Sequence, residues 1–149
     1  MKKKIIIIDD EPLISILMKD IIEEGEDLEI AAMTTSRNEF LNLVSQNSYD
    51  IALVDISVGG NREGGLELLQ AMKDRSIHLP AVMLSAHDEL HYALKCLQAG
   101  AKGYLNKKYI CTHVTPALKE VLDGHLFVSG DKGEYILKQF RQSPPMITI

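Results

Sequence analysis

Cysteine is scarce in this chain of 149 residues: Cys96 and Cys111 are the only two, with no CxxC pair. That argues against a disulfide framework or a zinc knuckle and points to a reducing compartment. Long apolar runs are missing as well. Three lysines, Lys2 to Lys4, are followed by only four isoleucines before Asp9 and Asp10, too short a run for a signal peptide or a membrane span. A cytoplasmic protein without membrane attachment is expected. A dense basic face is also wanting. The net charge is −5, with 8 Lys and Arg against 15 Asp and Glu in residues 1–75, and 8 against 6 in residues 76–149. Direct nucleic-acid binding by this chain is therefore disfavoured. There is no internal repeat and no low-complexity tract.

What is present is a core-forming composition, 46% hydrophobic and 25% charged, of a size for one domain plus a short appendage. Short apolar runs alternate with amphipathic ones. Residues 4–8, 28–32, 51–54, 81–84 and 103–105 read as strands, the best of them continuous Ile, Val and Leu as in strands buried on both faces of a parallel sheet. Residues 12–24, 37–46, 66–74, 89–99 and 110–122 read as helices. Pro12 suits a first helical turn, and Gly25, Gly100 and Gly124 stand where glycine ends helices. Five βα units in a row predict a doubly wound α/β fold. A further helix is expected over 131–141, broken by Ser143, Pro144 and Pro145. The division that follows is 1–125 as the domain and 126–149 as a helix with a linker.

In such a sheet, function gathers at the carboxyl ends of the strands. Those positions hold Asp9 and Asp10 followed by Glu11, then Asp55, Ser85 and Lys107. Grouped carboxylates repel, so a hard divalent cation such as Mg²⁺ is their natural occupant. A lysine and a hydroxyl on the facing rim complete a set suited to phosphoryl transfer. Asp55, alone at the end of an apolar strand, is the expected acceptor, because an aspartate can attack phosphorus and become an acyl phosphate. Asp9 and Asp10 are expected as metal ligands, directly or through water.

Bland readings compete. Asp9 or Asp10 could merely cap the helix at Pro12, but one cap does not account for both together with Asp55. Ser85 could simply close a strand, and Tyr104 could be half-buried packing. The stretch His87-Asp88-Glu89-Leu90-His91 nearly spells a zinc-protease helix, but Asp88 stands where that pattern needs Glu, and no third ligand is evident. The glycines at 59, 60, 64 and 65 lack the GK[ST] ending of a P-loop.

The motifs IIIIDDEP at 5–12, LVDIS at 53–57, MLSAH at 83–87 and the run ending at Lys107, in order and at matching spacing, resemble a response-regulator receiver domain of two-component signalling over about residues 3–125. The resemblance implies a flavodoxin-like (βα)5 fold, with a five-stranded parallel sheet in the order 2-1-3-4-5 and an extra C-terminal helix. It implies that Asp9 and Asp10 bind Mg²⁺ (or Mn²⁺), with Asp55 and the Ser57 backbone carbonyl completing the site. Asp55 would take phosphate from a sensor histidine kinase, Ser85 would be the switch hydroxyl, Lys107 the family's lysine and Tyr104 its switch aromatic. The protein would then be a phosphoacceptor rather than an enzyme with turnover, though able to assist its own phosphorylation and dephosphorylation. Ser57 and His87 occupy positions that tune phosphate lifetime. Residues 118–129 are similar to the exit segment of NarL-like regulators, which continue into a LuxR-type helix-turn-helix, so DNA contact through a domain outside this chain is expected, with a homodimer as a possible assembly.

The sequence departs from that pattern at the loop over 56–65, which is glycine-rich, one or two residues longer than the common form and without its usual proline; Lys108 also stands where many relatives have proline. Two other functions remain to be weighed. A phosphohydrolase of the haloacid dehalogenase type needs an acid two residues after its nucleophile, and Ser57 stands there, which argues against turnover. A phosphorylation-independent interaction module on the same fold would be suggested by loss of Asp55, the acidic pair or Lys107, yet all are present.

Overall fold

The computed structural model describes residues 1–86 and 90–142. Six strands form one parallel sheet: β1 (Lys3–Ile8), β2 (Leu28–Thr34), β3 (Ile51–Asp55), β4 (Ala81–Ser85), β5 (Gly103–Asn106) and β6 (Phe127–Val128), in the order β2-β1-β3-β4-β5-β6. The helices are α1 (Pro12–Ile22), α2 (Arg37–Gln46), α3 (Gly64–Asp74), α4 (Leu90–Gln98), α5 (Ile110–Leu122) and α6 (Gly133–Gln142). Among the described residues no helix is long and apolar enough to cross a membrane.

The continuous isoleucines of β1 divide by parity. Ile5 and Ile7 face one side, packed with Met18 and Ile22 of α1 and Ile110, Val114 and Leu118 of α5. Ile6 and Ile8 face the other, packed with Phe40 and Val44 of α2 and Leu68 and Met72 of α3, in a core that also takes Ala93 and Leu97 of α4 and Ile136 and Leu137 of α6. A strand covered on both faces needs apolar side chains at every position, which is why alternation is absent there. The sheet is doubly wound, and β1 and β3 lie side by side at its centre with their connections leaving in opposite directions. Their carboxyl ends therefore border the crevice at the point where strand order reverses.

The five expected strands and their order are present. A sixth, β6, joins parallel to β5, with Gly103 opposite Phe127 and Tyr104 opposite Val128. Two residues are too few to carry a periodic signal, so nothing in the sequence announced it. All five run further than expected: β1 starts one residue earlier, β2 ends two residues later, and β3, β4 and β5 end one residue later, taking in Asp55, Ser85 and Asn106.

Helix ends follow local chemistry. Ser36 caps α2 by accepting the Glu39 N–H at 3.2 Å. Gly100 and Gly124, with φ of +104° and +90°, take the left-handed conformation expected of them after α4 and α5. Gly25 does not, and the end of α1 is settled instead by Glu23. Its carboxylate accepts the Lys19 ammonium at 2.6 Å and the Ile30 N–H at 2.9 Å, pinning the helix end to β2.

Candidate functional site

Asp9 follows β1, Asp55 ends β3, Ser85 ends β4 and Lys107 follows β5, so four strands deliver their residues to one edge of the sheet. Asp9 is fully buried and Asp55 nearly so. Lys107 reaches across to both: its Nζ lies 3.0 Å from Asp9 Oδ2 and 3.6 Å from Asp55 Oδ2. It also donates to Glu11 Oε1 at 3.0 Å. Glu11 was visible as the third acid of a run, but only the turn into α1 brings its carboxylate back over the lysine.

Each carboxylate is held by local backbone. Asp9 Oδ1 accepts the Glu11 N–H at 2.8 Å, and Asp55 Oδ1 accepts both the N–H and the hydroxyl of Ser57 at 3.1 Å. The outer oxygens are less engaged. Asp9 Oδ2 is buried without a well-formed hydrogen bond and meets the Lys107 ammonium as an ion pair. Burial holds the Asp9 carboxyl above the usual carboxylate range, and the Asp55 charge adds to this against the Glu11 N–H and Lys107. For Lys107 burial alone would favour the neutral amine, but the Glu11 bond and the charges of Asp55 and Asp9 prevail and raise its pKa.

Asp10 is exposed and takes a different direction. Its carboxylate accepts the Gly59 N–H at 3.2 and 3.0 Å. Gly59 belongs to the single helical turn Val58–Gly60 in the long loop and has φ of +79°. Among the described residues no three His, Cys, Asp or Glu side chains converge as a ready metal cage. The chemistry of the site nevertheless fits a hard cation. Asp9, Asp55 and Glu11 share one ammonium, leaving excess negative charge, and a buried carboxylate oxygen lacks a hydrogen bond.

The loop over 56–65 is fixed in place by close packing. A Cβ on Gly64 would meet the Val58 carbonyl oxygen at 2.0 Å, and one on Gly65 would meet that of Asp55 at 2.6 Å. Its outer part is fastened on both sides: Asn61 bonds Glu67 on α3, while Arg62 bonds the Tyr92 hydroxyl and Glu63 pairs with Lys95 on α4.

Ser85 is fully buried, opposite Asn106 in the β4–β5 register. Tyr104 lies inward on β5, only 2% exposed, against the core beneath α4 and α6. Sequence reasoning gave no role to Asn106 or Ser129. Asn106 Oδ1 accepts the Lys108 N–H at 3.0 Å and so turns the chain at Lys107, and its own N–H donates to Ser129 Oγ at 2.8 Å. The position expected to tune phosphate lifetime at His87 lies outside the described residues, as do residues 143–149 of the expected linker.

A doubly wound sheet with an acid pair, a strand-end aspartate and a bridging lysine defines a class, and comparison identifies it. The chain matches the response regulator receiver domain family over residues 5–119 and belongs to that family. The general role of the family is to be phosphorylated by a kinase in two-component signalling, and its receivers are generally Mg²⁺-dependent. The response regulator UvrY of Escherichia coli is 26% identical over 127 residues, 85% of this chain, and the chain spans only 57% of that relative's length. A LuxR-family two-component response regulator from Aurantimonas superposes with a TM-score of 0.83 at 22% identity, covering 95% of this chain and all of that one. The RcsB response regulator of Salmonella typhimurium, described for its conformational dynamism in DNA interaction, gives 0.81 at 20% identity over 96% of this chain and 73% of its own. At those identities the two structures attest the fold.

Proposed function

We propose that Asp55 accepts a phosphoryl group from the histidine of a sensor kinase, and that the resulting change around β4 and β5 controls a transcriptional output. The observation that carries this reading is the convergence of Asp9, Asp55 and Lys107 at one sheet edge, with Asp55 Oδ1 tied to Ser57 and Oδ2 turned to the lysine.

Asp55 Oδ2 is the attacking atom in this scheme. Its bond to phosphorus forms as the bond from phosphorus to the donor breaks, and the departing group keeps that electron pair. The Lys107 ammonium, held protonated by its carboxylate neighbours, offsets the charge that collects on the transferring oxygens. Asp9, Asp10, Asp55 and the Ser57 backbone carbonyl would hold Mg²⁺ (or Mn²⁺), which supplies charge neutralisation at the phosphoryl oxygens when bound. In the structure Asp10 is engaged with the Gly59 N–H and Asp9 Oδ2 with the Lys107 ammonium, and each carboxylate has lone pairs left for a cation. Ser85 is assigned the switch hydroxyl and Tyr104 the switch aromatic. Ser57, bonded to the acceptor, is assigned a part in setting phosphate lifetime.

Residues 1–125 act as the receiver in this reading, and 126–149 carry the signal onward to a helix-turn-helix domain, an arrangement compatible with a homodimer. DNA is then reached through that domain and not through this chain, and the setting is the cytoplasm. The test is intact mass after incubation with Mg²⁺ and a small acyl phosphate. One phosphoryl adduct is expected on the unaltered chain, and none on Asp55→Asn or after Mg²⁺ is chelated. A chain left unmodified beside a receiver that is modified would favour a phosphorylation-independent interaction module.

A further inference from the structure

The short strand β6 lies far from the acidic motifs in sequence yet touches the element that carries Lys107. Ser129, immediately after β6, is buried and makes two bonds to β5. Its N–H donates to the Tyr104 carbonyl at 3.0 Å, and its Oγ accepts the Asn106 N–H at 2.8 Å. Asn106 is the last residue of β5, and its side chain sets the turn on which Lys107 stands. On its other flank Asn106 pairs in register with Ser85.

Downstream, Ser129 is joined just as closely to α6. Gly130 adopts φ of +93°, and a Cβ on Gly133 would meet the Val128 carbonyl at 2.3 Å, so the chain doubles back tightly and starts the helix against the end of β6. Helix α6 then buries Ile136 and Leu137 in the core beside α4. Beside the β5–β6 ladder bonds, the Ser129 hydroxyl thus ties the backbone N–H next to Lys107 to the segment that leads into a helix docked on α4.

We propose that Ser129 is a positioning residue for Lys107, and that through its bond to Asn106 the docked β6–α6 segment and phosphoryl transfer at Asp55 act on each other. This rests on Asp55 being the acceptor. A buried backbone N–H without its acceptor is costly, so removing Oγ forces the end of β5 to shift or to admit water, and the ammonium moves with it. Coupling of this kind is reciprocal: whatever displaces Lys107 also loads the Asn106–Ser129 bond, and with it the seating of α6.

The experiment measures the rate of phosphoryl uptake from a small acyl phosphate with Mg²⁺ on the 149-residue chain, for wild type, Ser129→Ala and Ser129→Thr, with thermal unfolding of each. Ser129→Ala is expected to lower the maximal rate about twofold to tenfold, the factor to which the net worth of one hydrogen bond converts. The half-saturating donor concentration should stay as it was, and Ser129→Thr, which keeps the acceptor oxygen, should recover the rate. Hydrogen exchange on the unaltered chain supplies a second readout independent of whether Ser129→Ala folds: protection at the Asn106 amide and along α6 should change on phosphorylation. An adduct formed equally fast by Ser129→Ala overturns the proposal alone, as does exchange at Asn106 and α6 that ignores phosphorylation. Wild-type chain that takes no phosphoryl group overturns the reading of the site and this proposal with it.

Discussion

At the scale of single residues, Asp9 carries an electrostatic cost. It is fully buried, one of its oxygens lacks a hydrogen bond, and Asp55 stands nearby with like charge. Its pKa is raised on folding, so the native state binds this proton more tightly than the unfolded chain does. Stability from this group is then highest in acid and is lost as pH rises from the ordinary value of 3.8 through the raised one. Asp9→Asn removes the buried charge while Lys107 keeps Glu11 and Asp55 as partners. Urea unfolding at neutral pH should show a gain of about 1 kcal/mol, the usual size for relieving an unfavourable functional position. That gain should shrink towards zero as pH falls, because the wild-type carboxyl is then protonated too. A variant less stable than wild type at neutral pH would mean that the Lys107 attraction outweighs burial.

At the scale of elements, the unusual loop after β3 is held by contacts that only glycine permits. Gly65 packs against the backbone of Asp55, the proposed acceptor, and the nearest atoms to an added Cβ are the Asp55 carbonyl oxygen at 2.6 Å and Ile56 Cα at 2.8 Å. Neither can move without carrying Asp55 along. Gly65→Ala is therefore expected to cost about 1–3 kcal/mol in chemical denaturation and to slow phosphoryl uptake as well. Gly60 offers the contrast: it has φ of +71° but nothing within 4 Å of a Cβ. Gly60→Ala should cost only about 1 kcal/mol of backbone strain and leave uptake near wild type. Equal effects from the two would mean that backbone conformation, and not contact with Asp55, governs the loop.

At the scale of the whole molecule, the fold brings Asp9, Asp55 and Glu11 around one ammonium, and the surplus negative charge should make the native state a better cation binder than the unfolded chain. Mg²⁺ should therefore raise the melting temperature in a concentration-dependent way, by about 2.7 kcal/mol of added stability at a hundred times the dissociation constant. A chelator should reverse the shift, and Asp9→Asn combined with Asp10→Asn should abolish it. A shift of equal size in that double variant would place the cation elsewhere.

The amino-acid sequence by itself determined the layered fold and which residues stand at the carboxyl edge of its sheet. Runs such as Ile5 to Ile8 specify two-faced burial, and two-faced burial in alternation with amphipathic helices admits few arrangements besides a doubly wound sheet. The strand-end positions of Asp9, Asp55, Ser85 and Lys107 follow from that arrangement. Only the tertiary structure decided what each side chain does with its neighbours. Asp10 turns to Gly59 while Asp9 turns to Lys107, although the two aspartates are adjacent, because consecutive side chains leaving a strand point in different directions. Glu11 closes over the lysine, and Ser129 bonds the end of β5 across 23 positions of chain. Those contacts join segments distant in sequence, and periodicity and local propensity report only on neighbours along the chain.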